Sequence, residues 1–193
     1  TSNFIQNGGT FTASGATMTV NGSFTQNGGV FTAPATELLT INNGFTHTAG
    51  TFDANGGTVK FHATGNVGGS YDIVAGGVVF HNIVFDAGDT TITLTDSFAI
   101  TGDMTIMSVG GINYRWTLWG SGSPTITVAG DLIFPANPDR VIDVGAASHN
   151  FTVNLAGDLL VGTDVNSRYN ININILFNGT TDQTITTNSG TYS

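Results

Sequence analysis

One short pattern, written three times near the start of the chain, restricts the fold more than any other feature. Phe4-Ile5-Gln6-Asn7-Gly8-Gly9-Thr10-Phe11-Thr12-Ala13 returns as Phe24-Thr25-Gln26-Asn27-Gly28-Gly29-Val30-Phe31-Thr32-Ala33. It returns again, altered, as Phe45-Thr46-His47-Thr48-Ala49-Gly50-Thr51-Phe52-Asp53-Ala54. The period is 20 residues and then 21, with apolar anchors about seven apart inside each unit: Phe4, Phe11, Met18; Phe24, Phe31, Leu39; Phe45, Phe52, Val59. A unit this short cannot bury its apolar face alone, so it must stack on its copies as a solenoid.

Strand parity assigns the sides. Phe11/Ala13, Phe31/Ala33 and Phe52/Ala54 sit two apart and face one way, as do Met18/Val20, Leu39/Ile41 and Val59/Phe61. Thr12, Thr32 and Asp53, and likewise Thr19, Thr40 and Lys60, then face outward. Corners at Asn7-Gly8-Gly9, Gly15 and Gly22 divide each unit into three strands, which describes a triangular coil. The composition agrees with an all-β reading. The chain has one Glu (Glu37), one Lys (Lys60) and three Gln, too few of the residues that build solvent-facing helices.

The predicted organisation is a single β-solenoid segment over residues 1–193, with regular short coils in 1–66, a transition in 67–97 and looped coils in 98–193. From residue 98 a longer period appears. Gly102-Asp103, Gly130-Asp131 and Gly157-Asp158 recur at 28 and 27 residues, each pair followed by an apolar strand, as at Met104-Thr105-Ile106. Loops are expected at 108–123, 135–149 and 162–170, and Ile171-Asn172-Ile173-Asn174-Ile175 reads as one alternating strand. Ile175-Leu176-Phe177-Asn178-Gly179-Thr180 echoes Val59-Lys60-Phe61-His62-Ala63-Thr64 at an offset of 116 residues, which suggests a new repeat starting near 175. Thr1 falls inside a repeat with no charged leader before it, so the chain is expected to be a segment of a longer array.

Several functions are disfavoured by composition. A net charge of −9, with three Arg and one Lys, suits neither nucleic acid nor an anionic membrane. The longest apolar runs, such as Val78-Val79-Phe80, are too short to span a bilayer. There is no cysteine, and His47, His62, His81 and His149 lack metal-ligand spacing. Phosphate-loop, dinucleotide and nucleophile-elbow motifs are absent, so no cofactor, metal or enzymatic activity is expected.

The remaining candidates each have a structural counterpart. The carboxylates at Asp103, Asp131 and Asp158 suit calcium in principle but match no spaced calcium loop, and aspartate after glycine commonly bonds backbone N–H groups. Asp86/Asp89 and Asp139/Asp143 have the form of acid–base pairs, yet carboxylates this close in sequence are ordinary loop residues. Tyr114, Arg115, Trp116 and Trp119 form the best candidate contact surface, since these residue types concentrate at binding hot spots and stacked aromatics suit sugars. In the competing reading, Trp116 and Trp119 cap the core beneath a long loop.

The strings Asn55-Gly56-Gly57-Thr58-Val59-Lys60-Phe61, Gly77-Val78-Val79-Phe80-His81-Asn82-Ile83-Val84-Phe85 and Ile100-Thr101-Gly102-Asp103-Met104-Thr105-Ile106 resemble modules of large secreted bacterial repeat proteins of the filamentous-haemagglutinin-like and autotransporter-adhesin-like kind. That resemblance covers most of the chain and implies a right-handed parallel β-helix on the cell surface. The expected role is a non-enzymatic rod in a filament, surface layer or adhesin stalk. Expected partners are adjacent modules or identical subunits end to end, with glycans as a further possibility. A carbohydrate-binding or polysaccharide-degrading β-helix is the alternative. No functional residues carry over, because the matching positions are core and corner positions.

Overall fold

The computed structural model describes residues 2–13, 15, 17–63, 69–107, 115–136, 141–162 and 168–187, with the backbone alone at 63, 115, 141 and 168. It is an all-strand β-solenoid of about seven turns. The chain runs through β1 (Phe4–Thr12), β2 (Met18–Val20), β3 (Phe24–Thr32) and β4 (Leu38–Ile41). There follow β5 (Phe45–His47), β6 (Thr51–Asp53), β7 (Thr58–Ala63), β8 (Gly69–Val74), β9 (Val79–Phe80) and β10 (Asn82–Ala87). Next come β11 (Thr90–Leu94), β12 (Phe98–Ile100), β13 (Met104–Met107), β14 (Arg115–Gly120), β15 (Thr125–Val128) and β16 (Leu132–Phe134). The last strands are β17 (Val141–Val144), β18 (Thr152–Leu155), β19 (Leu159–Val161), β20 (Arg168–Ile171), β21 (Asn174–Phe177) and β22 (Ile185–Thr187).

These strands form three sheets, and every pairing within them that the structure describes is parallel. The first runs β1-β3-β5-β8-β11-β14-β17-β20, the second β2-β4-β7-β10-β13-β16-β19-β22, and the third β9-β12-β15-β18-β21. The early coils blur the first corner. The first half of β3 pairs with β5 and its second half with β6, so one bulged strand covers two faces. The expected three strands per coil are therefore separate only from β5 and β6 onward.

Repeat register produces the core. Phe4 stacks on Phe24 at 4.9 Å and Phe24 on Phe45 at 5.2 Å between ring centroids. Beside this column, Phe11 stacks on Phe31 at 5.4 Å and Phe31 on Phe52 at 5.3 Å. The two columns meet edge to face, with Phe24 and Phe31 4.8 Å apart at 83°. Both arrangements are favoured by the ring quadrupole, so the columns are close-packed in two directions at once. Farther along, Ile, Leu and Val take over the same inward rows, together with buried Phe134 and Phe151.

A polar row also lies inside, which parity alone would have placed there. Gln6, Gln26 and His47 occupy matching positions two after the first Phe of each unit and are all buried. Gln6 Nε2 donates to Gly9 O and to Val30 O at 3.0 Å, and Gln26 Nε2 donates to Gly29 O and to Thr51 O at 2.9 Å. Each amide thus bonds a carbonyl of its own coil and one of the next coil, linking the two from inside.

Three expectations are corrected. The predicted loops 108–123, 135–149 and 162–170 contain first-sheet strands: β14 and β17 lie within the first two, and β20 begins in the third. Ile171-Asn172-Ile173-Asn174-Ile175 is not one strand, since β20 ends at Ile171 and β21 starts at Asn174 on another sheet. Its alternation spans a corner. Phe61 lies in the second sheet and Phe177 in the third, so the 116-residue echo does not correspond to a repeat of the coil stack.

Candidate functional site

The Gly-Asp corners are structural hydrogen-bond ladders. Asp131 N donates to Asp103 Oδ1, Asp158 N to Asp131 Oδ1 and Thr184 N to Asp158 Oδ1, each at 2.8 Å. Asn82 opens the same ladder by accepting from Asp103 N at 2.8 Å. Each side chain therefore bonds the next coil rather than its own turn. The glycines are needed for space: a Cβ on Gly130 would lie 2.6 Å from both the carbonyl carbon and the oxygen of Gly102. Asp96 makes a similar link, accepting from Ala75 N at 2.7 Å and Gly76 N at 2.6 Å.

The two members of the Asp86/Asp89 pair sit in different surroundings. Asp86 has no exposed surface, pairs with the Lys60 ammonium and lies 3.1 Å from His62 Nδ1. Asp89 sits in a turn with φ 45°. Tyr71 is packed against the core nearby, and burial first, then the negative Asp86, hold its phenol well above the usual range. Burial also raises the Tyr169 phenol, to about 12; its hydroxyl donates to Pro135 O.

These two phenols provide a check on the packing. The folded pKa lies above the ordinary value of 10.0 for both, so their stabilising contribution is complete below that pH. For Tyr169 it is lost as pH rises through about 12. In a spectrophotometric alkaline titration, Tyr71→Phe and Tyr169→Phe should each remove late-titrating tyrosinate absorbance. Removal of absorbance at the ordinary phenol pH instead would contradict their buried placement.

Of the expected contact residues, Tyr114 lies outside the described residues, and so does the Arg115 side chain. The two tryptophans part company. They are three apart on β14, so they face opposite sides. Trp116 is fully buried in the core, which corrects its expected place on a contact surface. Trp119 faces out, and its indole stacks on the His149 ring at 4.4 Å with 24° between planes. Ser148 Oγ lies 2.8 Å from His149 Nδ1 and holds that imidazole in place.

Beside Trp119 the first sheet carries a cleft of about 400 Å³. Register builds its floor as a small grid. Thr117, Asp143 and Asn170 align across β14, β17 and β20, and Trp119, Gly145 and Asn172 follow two residues later in the same three coils. Asn170 Nδ2 donates to Asp143 Oδ1 at 2.7 Å. Gly145, at φ 75°, puts no side chain between Trp119 and Asn172, and Ala146 and Ala147 keep the adjoining wall low. The Asp139 half of the other carboxylate pair lies outside the described residues, while Asp143 lines this cleft.

Parity on β14 could have separated Trp116 from Trp119, but only once β14 was recognised as a strand. Asn170, Asn172 and His149 were missed because they lie far from Trp119 in sequence. Among the described residues, no group of three or more His, Asp or Glu is placed to hold a metal ion. No described helix is long and apolar enough to cross a membrane. Comparison with family models, with curated proteins and with solved structures finds no match for this chain.

Proposed function

We propose that this chain is a non-enzymatic structural segment of a long extracellular bacterial polypeptide, serving as a stiff, self-stacking rod in a filament, surface layer or adhesin stalk. The likeness of its repeats to secreted bacterial surface arrays belongs to this reading. The observation that carries it is the parallel coil-to-coil register, in which all three sheets add strands along one axis and inward rows continue from coil to coil. Val144, Leu155 and Leu159 are buried, yet their partners one coil on, Ile171, Phe177 and Ile185, are 38%, 41% and 61% exposed. At the other end Phe11 is 39% exposed, while Phe31 above it is fully buried.

Apolar side chains in register for a further coil form a template for another module or another copy. Five of the described carboxylates support the non-enzymatic part of the reading. Asp96, Asp103, Asp131 and Asp158 bond backbone N–H groups of neighbouring coils, and Asp86 is buried against Lys60.

Sedimentation velocity over a range of protein concentrations, with negative-stain electron microscopy, tests this. The chain should form end-to-end species of constant width that lengthen with concentration. Ile185→Lys, on the terminal strand, should suppress them with little change in thermal unfolding, because Ile185 is already largely exposed. A strict monomer, or association indifferent to Ile185→Lys and Phe177→Glu, would overturn the reading.

A further inference from the structure

We infer that the cleft beside Trp119, on the flank of the rod, is a binding site for a neutral oligosaccharide. A volume of about 400 Å³ falls at the small end of ligand sites and suits a short run of sugar rings. The lining has the two chemistries a pyranose needs. An aromatic surface receives the C–H face of the ring, and Trp119 provides it, held by His149 behind a hydrogen bond to Ser148. Carboxamide and hydroxyl groups engage vicinal hydroxyls, and the cleft presents Asn170, Asn172 and the Thr117 hydroxyl over the buried Asp143 carboxylate.

The geometry also disfavours other ligands. Among the described lining residues there is no cation, and the Asp143 carboxylate disfavours anions, so the described lining favours a neutral sugar over uronates, sulfated sugars and phosphates. A single carboxylate, with one oxygen bonded to the Asn170 amide, provides too few hard ligands for a calcium-bridged mode. Preorganisation favours the sugar. Asn170 and Asp143 are already bonded to each other, and Trp119 is already stacked, so little side-chain freedom is lost on binding. The cleft spans three successive coils, the last of which carries Ile171, so an oligosaccharide would lie along the rod axis on the outward face of the first sheet. Sugar binding and self-association are read by separate measurements, so either can fail without the other.

The test is isothermal titration of the intact chain with a panel of neutral gluco-, manno-, galacto- and N-acetylglucosamine oligosaccharides, with oligogalacturonate as the acidic arm. At least one neutral series should bind. Trp119→Ala should weaken that binding at least tenfold, and Asn172→Ala should weaken it several-fold. Tryptophan fluorescence should shift on binding in the wild type and not in Trp119→Phe, since the remaining Trp116 is buried in the core. Thermal unfolding of each variant establishes that it is folded, and Thr105→Ala on the second sheet is the control outside the cleft. The inference is overturned by no binding across the neutral panel, by tighter binding of oligogalacturonate, by binding abolished with EDTA, or by a folded Trp119→Ala chain that binds as the wild type does.

Discussion

Phe24→Ala should destabilise the chain by about 3–5 kcal/mol, whereas Phe11→Ala should cost a fraction of that. Phe24 is fully buried and lies against four rings: Phe4 and Phe45 in its own column, Phe31 and Phe52 in the neighbouring one. Truncation leaves a ring-sized cavity whose walls belong to three coils at fixed spacing, so collapse around it is resisted. Phe11 makes the same kind of stack with Phe31 but is 39% exposed, so water already meets one side of the ring. Denaturant unfolding followed by far-UV circular dichroism compares the two. Because coils contact mainly their neighbours, the loss is expected to appear first as melting of the early coils. Equal costs at the two sites would show that the ring columns are not what holds these coils together.

Gly29→Ala should be as damaging, through the backbone rather than the core. Gly29 has φ 80°, a left-handed conformation that costs an L-residue roughly 1–2 kcal/mol. A Cβ there would also lie 2.3 Å from Gly9 O and 2.6 Å from Gly8 C on the coil below. Those atoms are backbone, so no rotamer change relieves the clash; the coils must separate, straining the β1–β3 pairing and the Gln6 and Gln26 bonds at the same corner. Gly8→Ala is the matched control, because a Cβ on Gly8 meets nothing within 4 Å. Its effect should stay within about 0.5 kcal/mol, as at ordinary surface sites. Thermal unfolding of the pair provides the measurement, and a Gly29→Ala chain as stable as Gly8→Ala would refute the close stacking of this corner.

The Gly-Asp motif shows how far reading the chain went. Its recurrence marked a corner, and the preference for a backbone-bonding carboxylate over a calcium ligand agrees with the Asp103–Asp131–Asp158 ladder. What the carboxylate bonds is a different matter. Within a single turn the nearest N–H is local, and only the coil-to-coil register reveals that the acceptor reaches the next corner instead. The two tryptophans teach the same lesson. Three positions apart on a strand they must diverge, yet the strand itself lay in a segment expected to be loop, because Trp116-Thr117-Leu118-Trp119 carries only two core-facing side chains before the next corner.

The parallel solenoid, its 20–21-residue coil and the inward Phe and Val rows were written in the chain itself, because alternation along a strand and recurrence between coils are local signals that each repeat states again. The meeting of Trp119 with His149, the placing of Gly145 between Trp119 and Asn172, and the bond from Asn170 to Asp143 were decided only by the folded stack. Outward positions carry no burial signal, and which of them become neighbours depends on the number of residues each coil spends between its strands.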